Sequence, residues 1–253
     1  MLDFLKEKKN LNLDAPETTI LHRNIILRKK FLKKLYVEWY NNFLNILPDL
    51  PEGKILEIGS GGGFLKDLNN TIITSDIQAL PNCDLTFNAE KMPFDDNSLS
   101  AIFMINVLHH IPNTEQFLKE AQRTLKKDGI LFMSEPANTW FSRLIYKNVH
   151  IEPFNTDVKK WNFPSSGPLS GANGALPWII FERDRNIFIE NFKNLKILEM
   201  KLHTPFRYLL SGGLSYKTPF PGWSFKAVTF FEKLWKPFYR YFAMFQIIKV
   251  VKI

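Results

Sequence analysis

The chain predicts a doubly wound α/β fold. Three observations carry that expectation: an apolar run, KILEI, opens straight into a glycine-rich turn; later apolar and β-branched runs end in polar residues; and segments of helical period separate them. In such a sheet the strand ends converge on one edge, where open α/β folds bind their ligands.

The first element, residues 54–64 (KILEIGSGGGF), runs an apolar strand through Glu57 into Gly59, Gly61 and Gly63. Glycines there make positive φ available and leave no Cβ in a ligand's way, while the following amides point at whatever sits over the turn. A nicotinamide fingerprint GxGxxG needs its third glycine at position 64, which is Phe64, so that register fails by one residue. The pattern that fits is acid-x-Gly-x-Gly-x-Gly, with Glu57 placed to receive the ammonium of an amino-acid moiety. S-adenosylmethionine carries that ammonium and a sulfonium, and it has no pyrophosphate for Glu57 to repel. A glycine-rich loop that merely turns the chain is the plainer alternative.

The following elements keep the α/β order. A short helix over 64–68 leads to TIITSDI, a second strand ending at Asp76, where a carboxylate accepts both hydroxyls of an adenosine ribose; a surface turn aspartate is the alternative. A third strand ends at Asn88 and a fourth covers 101–105. Asn88 and Glu90 are then placed at the adenine edge, with Met92 or Phe94 on its face unless these two are plain core. Residues 114–125 have helical spacing, with Phe117, Leu118, Ala121 and Leu125 on one stripe, and the helix stops at KKDG. GILFMSEP is the fifth strand.

Taken together, residues 57–63, Asp76, NAEKMPFDDNSL, NVLHHIP and LKKDGILFMSEP resemble the class I S-adenosylmethionine-dependent methyltransferases, and most closely the type 11, or UbiE-like, group. The likeness covers about residues 52–136. It implies a Rossmann-like three-layer sandwich with a seven-stranded, mostly parallel sheet whose last strand is antiparallel. It also implies S-adenosyl-L-methionine as cofactor, with donor contacts on Glu57, Gly59, Gly61, Gly63, Asp76, Asn88, Ala89, Glu90 and Asn106, and Ser60, Ile77 and Val107 beside them. Asn88 departs from the family, which usually has aspartate there; the amide carbonyl oxygen still offers the adenine amino group an acceptor. SGPLSGANGALPWIIFERD and HTPFRYLLSGG resemble segments of bacterial methyltransferases from polysaccharide or cell-envelope gene clusters.

Composition bounds the rest. With 253 residues, 45 % of them hydrophobic, one large α/β domain with an elaborated cap is within reach. The single cysteine, Cys83, excludes an internal disulfide, and no cluster of Cys and His has metal-ligand spacing, so no metal is expected from sequence. The amino-terminal MLDFLKEKKN lacks a secretory apolar region and no window is apolar enough to span a bilayer. A cytoplasmic protein is expected, with contact at the inner face of the membrane as a further option.

Charge is unevenly distributed. Residues 51–136 carry 7 basic and 12 acidic side chains, against 9 and 6 over residues 1–50 and 17 and 7 over residues 137–253. An acidic middle suits a cationic donor, and basic flanks suit an anionic acceptor. The first 50 residues are expected to form a helical segment packed on the core, centred on an amphipathic helix over 23–34 that docks on the sheet rather than on a membrane. Residues 51–253 are expected to form the methyltransferase domain, with substrate-cap insertions at about 137–178 and 207–241, a sixth strand in NLKILEMKLHTPF and an antiparallel seventh in FAMFQIIKVVKI. The loop after the fifth strand, with SSGPLSGANGA, is long enough for a lid. In SFKAVTFFEKLWKPFYRYF aromatic residues alternate with Lys and Arg, a composition that fits either a cap over a substrate pocket or a lipid headgroup boundary.

The acceptor expected from these features is a small molecule, a glycan or a lipid-linked compound of the cell envelope, methylated on oxygen by in-line displacement. A catalytic base is sought in His109 or His110, of which only one can face the methyl site if they lie on a helix, with His109 favoured, or in Glu135 at the end of strand five. Tyr146, His150 and Glu152 border the same space, and His203 with Arg207 form a candidate anion site. Two other classes stand beside the enzyme: a donor-binding partner subunit without turnover, and an RNA methyltransferase. The latter is disfavoured because no nucleic-acid motif is present and Asn106 is not followed by the Pro-Pro-aromatic signature of base-modifying enzymes.

Overall fold

The computed structural model describes residues 12–150, 152–164 and 167–253, so the amino-terminal stretch read for a secretory signal lies outside the described residues. Seven strands form one sheet: β1 (Lys54–Ile58), β2 (Ile73–Asp76), β3 (Leu85–Thr86), β4 (Leu99–Ile105), β5 (Leu125–Pro136), β6 (Leu195–His203) and β7 (Phe245–Lys252). Their order is β3-β2-β1-β4-β5-β7-β6, and β7 runs antiparallel to both of its neighbours while the strands from β3 to β5 pair in parallel. β4 is buried along almost its whole length, as a central strand covered on both faces must be. The α-helices are α1 (Pro16–Arg28), α2 (Lys30–Leu44), α3 (Leu65–Leu68), α4 (Thr114–Thr124), α5 (Trp140–Asn148), α6 (Leu176–Trp178), α7 (Arg185–Asn191), α8 (Arg207–Leu210), α9 (Phe225–Leu234) and α10 (Tyr239–Phe242).

The amphipathic segment expected over 23–34 is not one helix. Lys29 leaves the helical region at ψ 91° and separates α1 from α2. Its buried ammonium donates to Gly213 O at 2.8 Å and to Tyr216 O, so the break exchanges one helical residue for a tether to the segment after α8. The apolar positions of α2 face the sheet. Phe31, Leu32, Leu35, Trp39 and Phe43 recur at the three- and four-residue spacing of one helix face and are all buried. Phe43 stacks on Phe103 of β4 at 4.3 Å and meets Phe132 of β5 edge-on, which seats α2 on the sheet within a core that draws on described residues from Ile26 to Val250. Each such side chain contributes roughly 1.5–3 kcal/mol on burial.

Two strand boundaries differ from the sequence reading. β3 is only the pair Leu85–Thr86, so Asn88 lies beyond the strand rather than at its end. KKDG, expected as the stop of a helix and the turn before a strand, interrupts a strand that already starts at Leu125. There the pairing jumps from Leu99↔Leu125 to Ala101↔Ile130, and Asp128 takes φ +62° to bulge the extra residues out. The segment after β5 is not a bare loop either. Thr139 and Ser142 form a reciprocal capping box that starts α5, and Tyr146 Oη donates to Met244 O.

Candidate donor site and the histidine cluster beside it

The carboxyl ends of β1, β2 and β4 bring the expected donor groups together. Gly59 holds φ +69°, and a Cβ built there would stand 2.3 Å from Val107 Cγ2, so this position requires glycine for both conformation and space. Ser60 ties the turn to β2: its amide donates to Ser75 O at 2.9 Å, and its hydroxyl accepts from Ser75 N. Glu57 points into this turn. It is 3 % exposed, and its Oε2 has no hydrogen-bond partner. Burial pushes its carboxyl up to about 7, against the opposing pull of Ser60 and Arg23.

Asp76, at the end of β2, accepts from Gly61 N at 3.1 Å through Oδ2 and from Gln78 N at 2.9 Å through Oδ1. Backbone amides thus hold both oxygens in place at the end of β2. Ile77 follows it, half exposed and apolar. At the end of β4, Asn106 sits at φ +54° with its Oδ1 buried and without a partner. Two orphaned buried oxygens flanking one glycine turn are what a ligand ammonium satisfies. These residues fit S-adenosylmethionine.

The adenine side differs from the sequence reading in detail. Asn88 is exposed, and the carbonyl oxygen expected to face the adenine already accepts from Glu90 N at 2.8 Å. Glu90 in turn accepts from Asn113 N at 2.9 Å, so its carboxylate braces the start of α4. Ala89 is buried beside them, Met92 is core, and Phe94 packs its ring edge-on against Phe87.

Sequence reasoning missed what lies over the turn. α1 crosses it: a Cβ at Gly61 would meet Thr19 Cγ2 at 2.5 Å, one at Gly62 would meet His22 Cβ at 3.5 Å, and the Arg23 guanidinium donates to Gly63 O and to Asp67 Oδ2. Nothing in the spacing of Thr19, His22 and Arg23 marks them, because their role depends on where α2 seats α1.

Beyond β4 and β5 lies a cluster of titratable groups. Residues Leu108–His110 form a 3-10 helix rather than an α-helix, and His109 and His110 both face Glu152 with ring centroids 4.3 Å apart. This corrects the expectation that only one of them can face the site. Glu135 Oε1 accepts from Val107 N at 2.8 Å and Leu108 N at 2.9 Å, and its Oε2 accepts from His109 Nδ1 at 2.7 Å. His109 Nε2 stands 3.3 Å from Glu152 Oε2, and His110 Nε2 stands 3.7 Å from Glu152 Oε1. His150 approaches the same carboxylate at 3.7 Å.

This arrangement overturns His109 as the favoured base. Burial alone would lower its pKa, but Glu135 and Glu152 more than offset that and hold it up at about 10, so without another cation it is already protonated at neutral pH. His110 is pushed the other way, down to about 4, by burial and by its charged neighbour. Glu152 is held down at about 2: burial raises it, but His109, His110 and His150 prevail. Glu135 holds the His109 ring in place through its Nδ1 contact. Tyr146 is buried, and its hydroxyl is committed to Met244 O.

His203 and Arg207 do not form an anion site. Arg207 is buried between Glu232 (Nε to Oε1, 2.7 Å) and Glu38 (Nη2 to Oε1, 2.7 Å), and His203 bridges Ser134 and Thr204. Burial, with Arg207 nearby, pushes the His203 imidazole down to about 3, so it offers an anion no charge.

A family profile described as a methyltransferase domain matches residues 56–133. Residues 56–133 match a type 11 methyltransferase domain. A ubiquinone/menaquinone biosynthesis C-methyltransferase, UbiE, from Chromobacterium violaceum is 31 % identical over 98 residues, covering 36 % of this chain and 40 % of that protein. The Rickettsia prowazekii UbiE is 32 % identical over 117 residues, covering 36 % of this chain and 47 % of that one. The matches thus span less than half the length of these relatives. Among solved structures, a SAM-dependent methyltransferase from Thermotoga maritima superposes with a TM-score of 0.52 at 17 % identity, covering 93 % of this chain and all of that one. That likeness extends the methyltransferase fold beyond the matched domain. The domain's cofactor is S-adenosylmethionine, and the matched residues include Glu57, the glycine turn, Asp76, Asn106 and both histidines. None of the described helices is long and apolar enough to cross a membrane.

Proposed function

We propose that the protein transfers a methyl group from S-adenosylmethionine to an oxygen of a glycan, a lipid-linked compound or a small molecule. The observation that carries this reading is the pair of orphaned buried oxygens, Glu57 Oε2 and Asn106 Oδ1, at a glycine turn faced by Asp76. When bound, S-adenosylmethionine supplies an electrophilic methyl carbon. Glu57 takes its ammonium, Asp76 its ribose hydroxyls and Ile77 one face of its adenine, while Ser60, Gly63 and Val107 shape the turn around it. Displacement needs nucleophile, carbon and sulfur in line, so fixed positioning supplies much of the rate.

The acceptor space lies past β4 and β5, bordered by the histidine cluster and by the segments after β5 and β6, which we assign as substrate-cap insertions, at about 137–178 and 207–241, in a methyltransferase domain over residues 51–253; of the first 50 residues, the helical segment over 16–44 packs on the core. Residues 167–175 of this cap are pinned at the site, with Gly171 O accepting from His110 Nδ1 and Asn173 N donating to His109 O. A lipid-linked acceptor is supported by α9 and its flanks. Trp223, Phe230 and Phe231 are 82 %, 63 % and 62 % exposed beside Lys226, Lys233 and Lys236, a basic aromatic surface suited to anionic headgroups. Carbon methylation is the second reading, favoured by the relatives named as C-methyltransferases.

The test incubates the protein with methyl-labelled donor and separated lipid, glycan, RNA, protein and small-molecule extracts. Label is expected in a lipid, glycan or small-molecule fraction. Label confined to RNA or protein sinks the acceptor reading, and tighter binding of NAD than of S-adenosylmethionine sinks the donor reading.

A further inference from the structure

The group around Glu152 is built as a cation site. His109 Nδ1 faces a carboxylate oxygen of Glu135 at 2.7 Å, and His110 Nδ1 faces the carbonyl of Gly171 at 3.2 Å. Both partners only accept, so both Nδ1 atoms carry a proton, and both Nε2 atoms face Glu152, where a bound cation would take the place of any proton they hold. Histidines whose far nitrogen donates to a carboxylate or a backbone carbonyl are the usual form of a metal-ligating imidazole.

The distances separate this reading from an ordinary ion pair. Charge-assisted N–H···O bonds close to about 2.7–2.9 Å, as His109 and Glu135 do, whereas the two Nε2 atoms stop at 3.3 and 3.7 Å from the Glu152 oxygens. Two ligands on a tetrahedral ion with bonds of about 2.0–2.1 Å stand roughly 3.3 Å apart. All three ligand atoms lie within 4.8 Å of one another, close enough for a small shift of side chains to bring them onto one ion. The Glu135 and Glu152 carboxylates both face the two imidazoles in a mostly buried space.

We propose that His109 Nε2, His110 Nε2 and the Glu152 carboxylate bind a divalent cation of the zinc class, with Glu135 and Gly171 fixing the two imidazoles. Two nitrogens and one carboxylate suit zinc or cobalt rather than magnesium or calcium, which prefer all-oxygen sets. Three protein ligands leave a tetrahedral ion one position for water or an acceptor oxygen. In that place the ion would act as a Lewis acid, lowering the pKa of an acceptor hydroxyl and doing the work first sought in a histidine base. This role rests on the methyl-transfer reading, whereas occupancy of the site does not.

The experiment strips the full chain with a chelator and titrates it with Zn2+ by calorimetry and with Co2+ by visible absorption, measuring S-adenosylmethionine affinity on the same samples. One equivalent is expected to bind at micromolar or tighter affinity, with the d–d bands of four-coordinate cobalt. Glu152→Gln and His110→Gln should lose that equivalent while still binding the donor, which verifies their fold. Glu135→Gln should weaken the cation about 10- to 100-fold. The site is refuted if the wild-type chain binds the donor but no stoichiometric cation, or if either ligand variant binds cation as tightly as wild type. A chain that binds the cation but not the donor keeps the site and rejects the methyl-transfer reading instead.

Discussion

Glu57 is buried with one carboxylate oxygen unpartnered, and its pKa of about 7 puts its charge change within the working range. The donor's ammonium prefers the ionised form, so donor affinity is expected to rise between pH 6 and 8, by calorimetry, and Glu57→Gln should flatten the profile. A charge-assisted hydrogen bond contributes about 1.5–3 kcal/mol, so the same substitution should weaken the donor roughly 10- to 100-fold. The stability sign is opposite. A carboxyl raised from 4.5 to about 7 keeps its proton in the folded chain, so the donor-free protein should lose stability as pH rises across that window. Gly59→Ala forces a side chain to φ +69° and against Val107, and loss of donor binding with the fold retained by circular dichroism is the expected result. Arg207 carries a structural burden instead. Arg207→Met would leave the buried Glu232 carboxylate without its partner at about 3–5 kcal/mol. A melting temperature within a degree or two of wild type would contradict that.

At the scale of elements, α9 is the piece whose exposed face has no explanation inside the fold. Phe230, Phe231 and Leu234 lie outward next to Lys233 and Lys236. The full chain is expected to float with anionic vesicles at low salt and to detach as salt screens the lysines. Phe230→Ser with Phe231→Ser should release it at any salt, and flotation unchanged by the pair would show that the aromatic face is not the contact. The break at Lys29 makes a second test. Removing the ammonium in Lys29→Met leaves Gly213 O and Tyr216 O unpaired at a cost of about 1–3 kcal/mol. Recovered stability in that variant would mean the tether does not hold α1.

At the scale of the whole molecule, a ligand that binds only the folded chain stabilises it by about 2.7 kcal/mol at a hundred times its dissociation constant. S-adenosylmethionine should therefore raise the melting temperature by several degrees and NAD at equal concentration should not. The elements with strong period or punctuation were legible in advance: β1 and its glycine turn, β2 ending at Asp76, β4, the stripe of α4, and the late strands β6 and β7. Their residues repeat a pattern that local sterics and burial dictate. The kink at Lys29 and the bulge at Asp128 were not legible. Each is decided by a distant partner, the carbonyls after α8 in one case and the register against β4 in the other.

The sequence by itself determined the glycine turn and the acids around it, because Glu57, Gly59, Gly61, Gly63 and Asp76 lie within twenty residues and a single β-turn-α-β unit fixes their geometry. The tertiary structure decided the rest. His109 and His110 converge with Glu152 only because the chain between β5 and β6 folds back across the sheet edge, and Glu135 reaches them from a neighbouring strand. A cluster assembled from residues 26 and 43 positions apart has no spacing to read, and the charges and distances that make it a site exist only once the chain has closed around it.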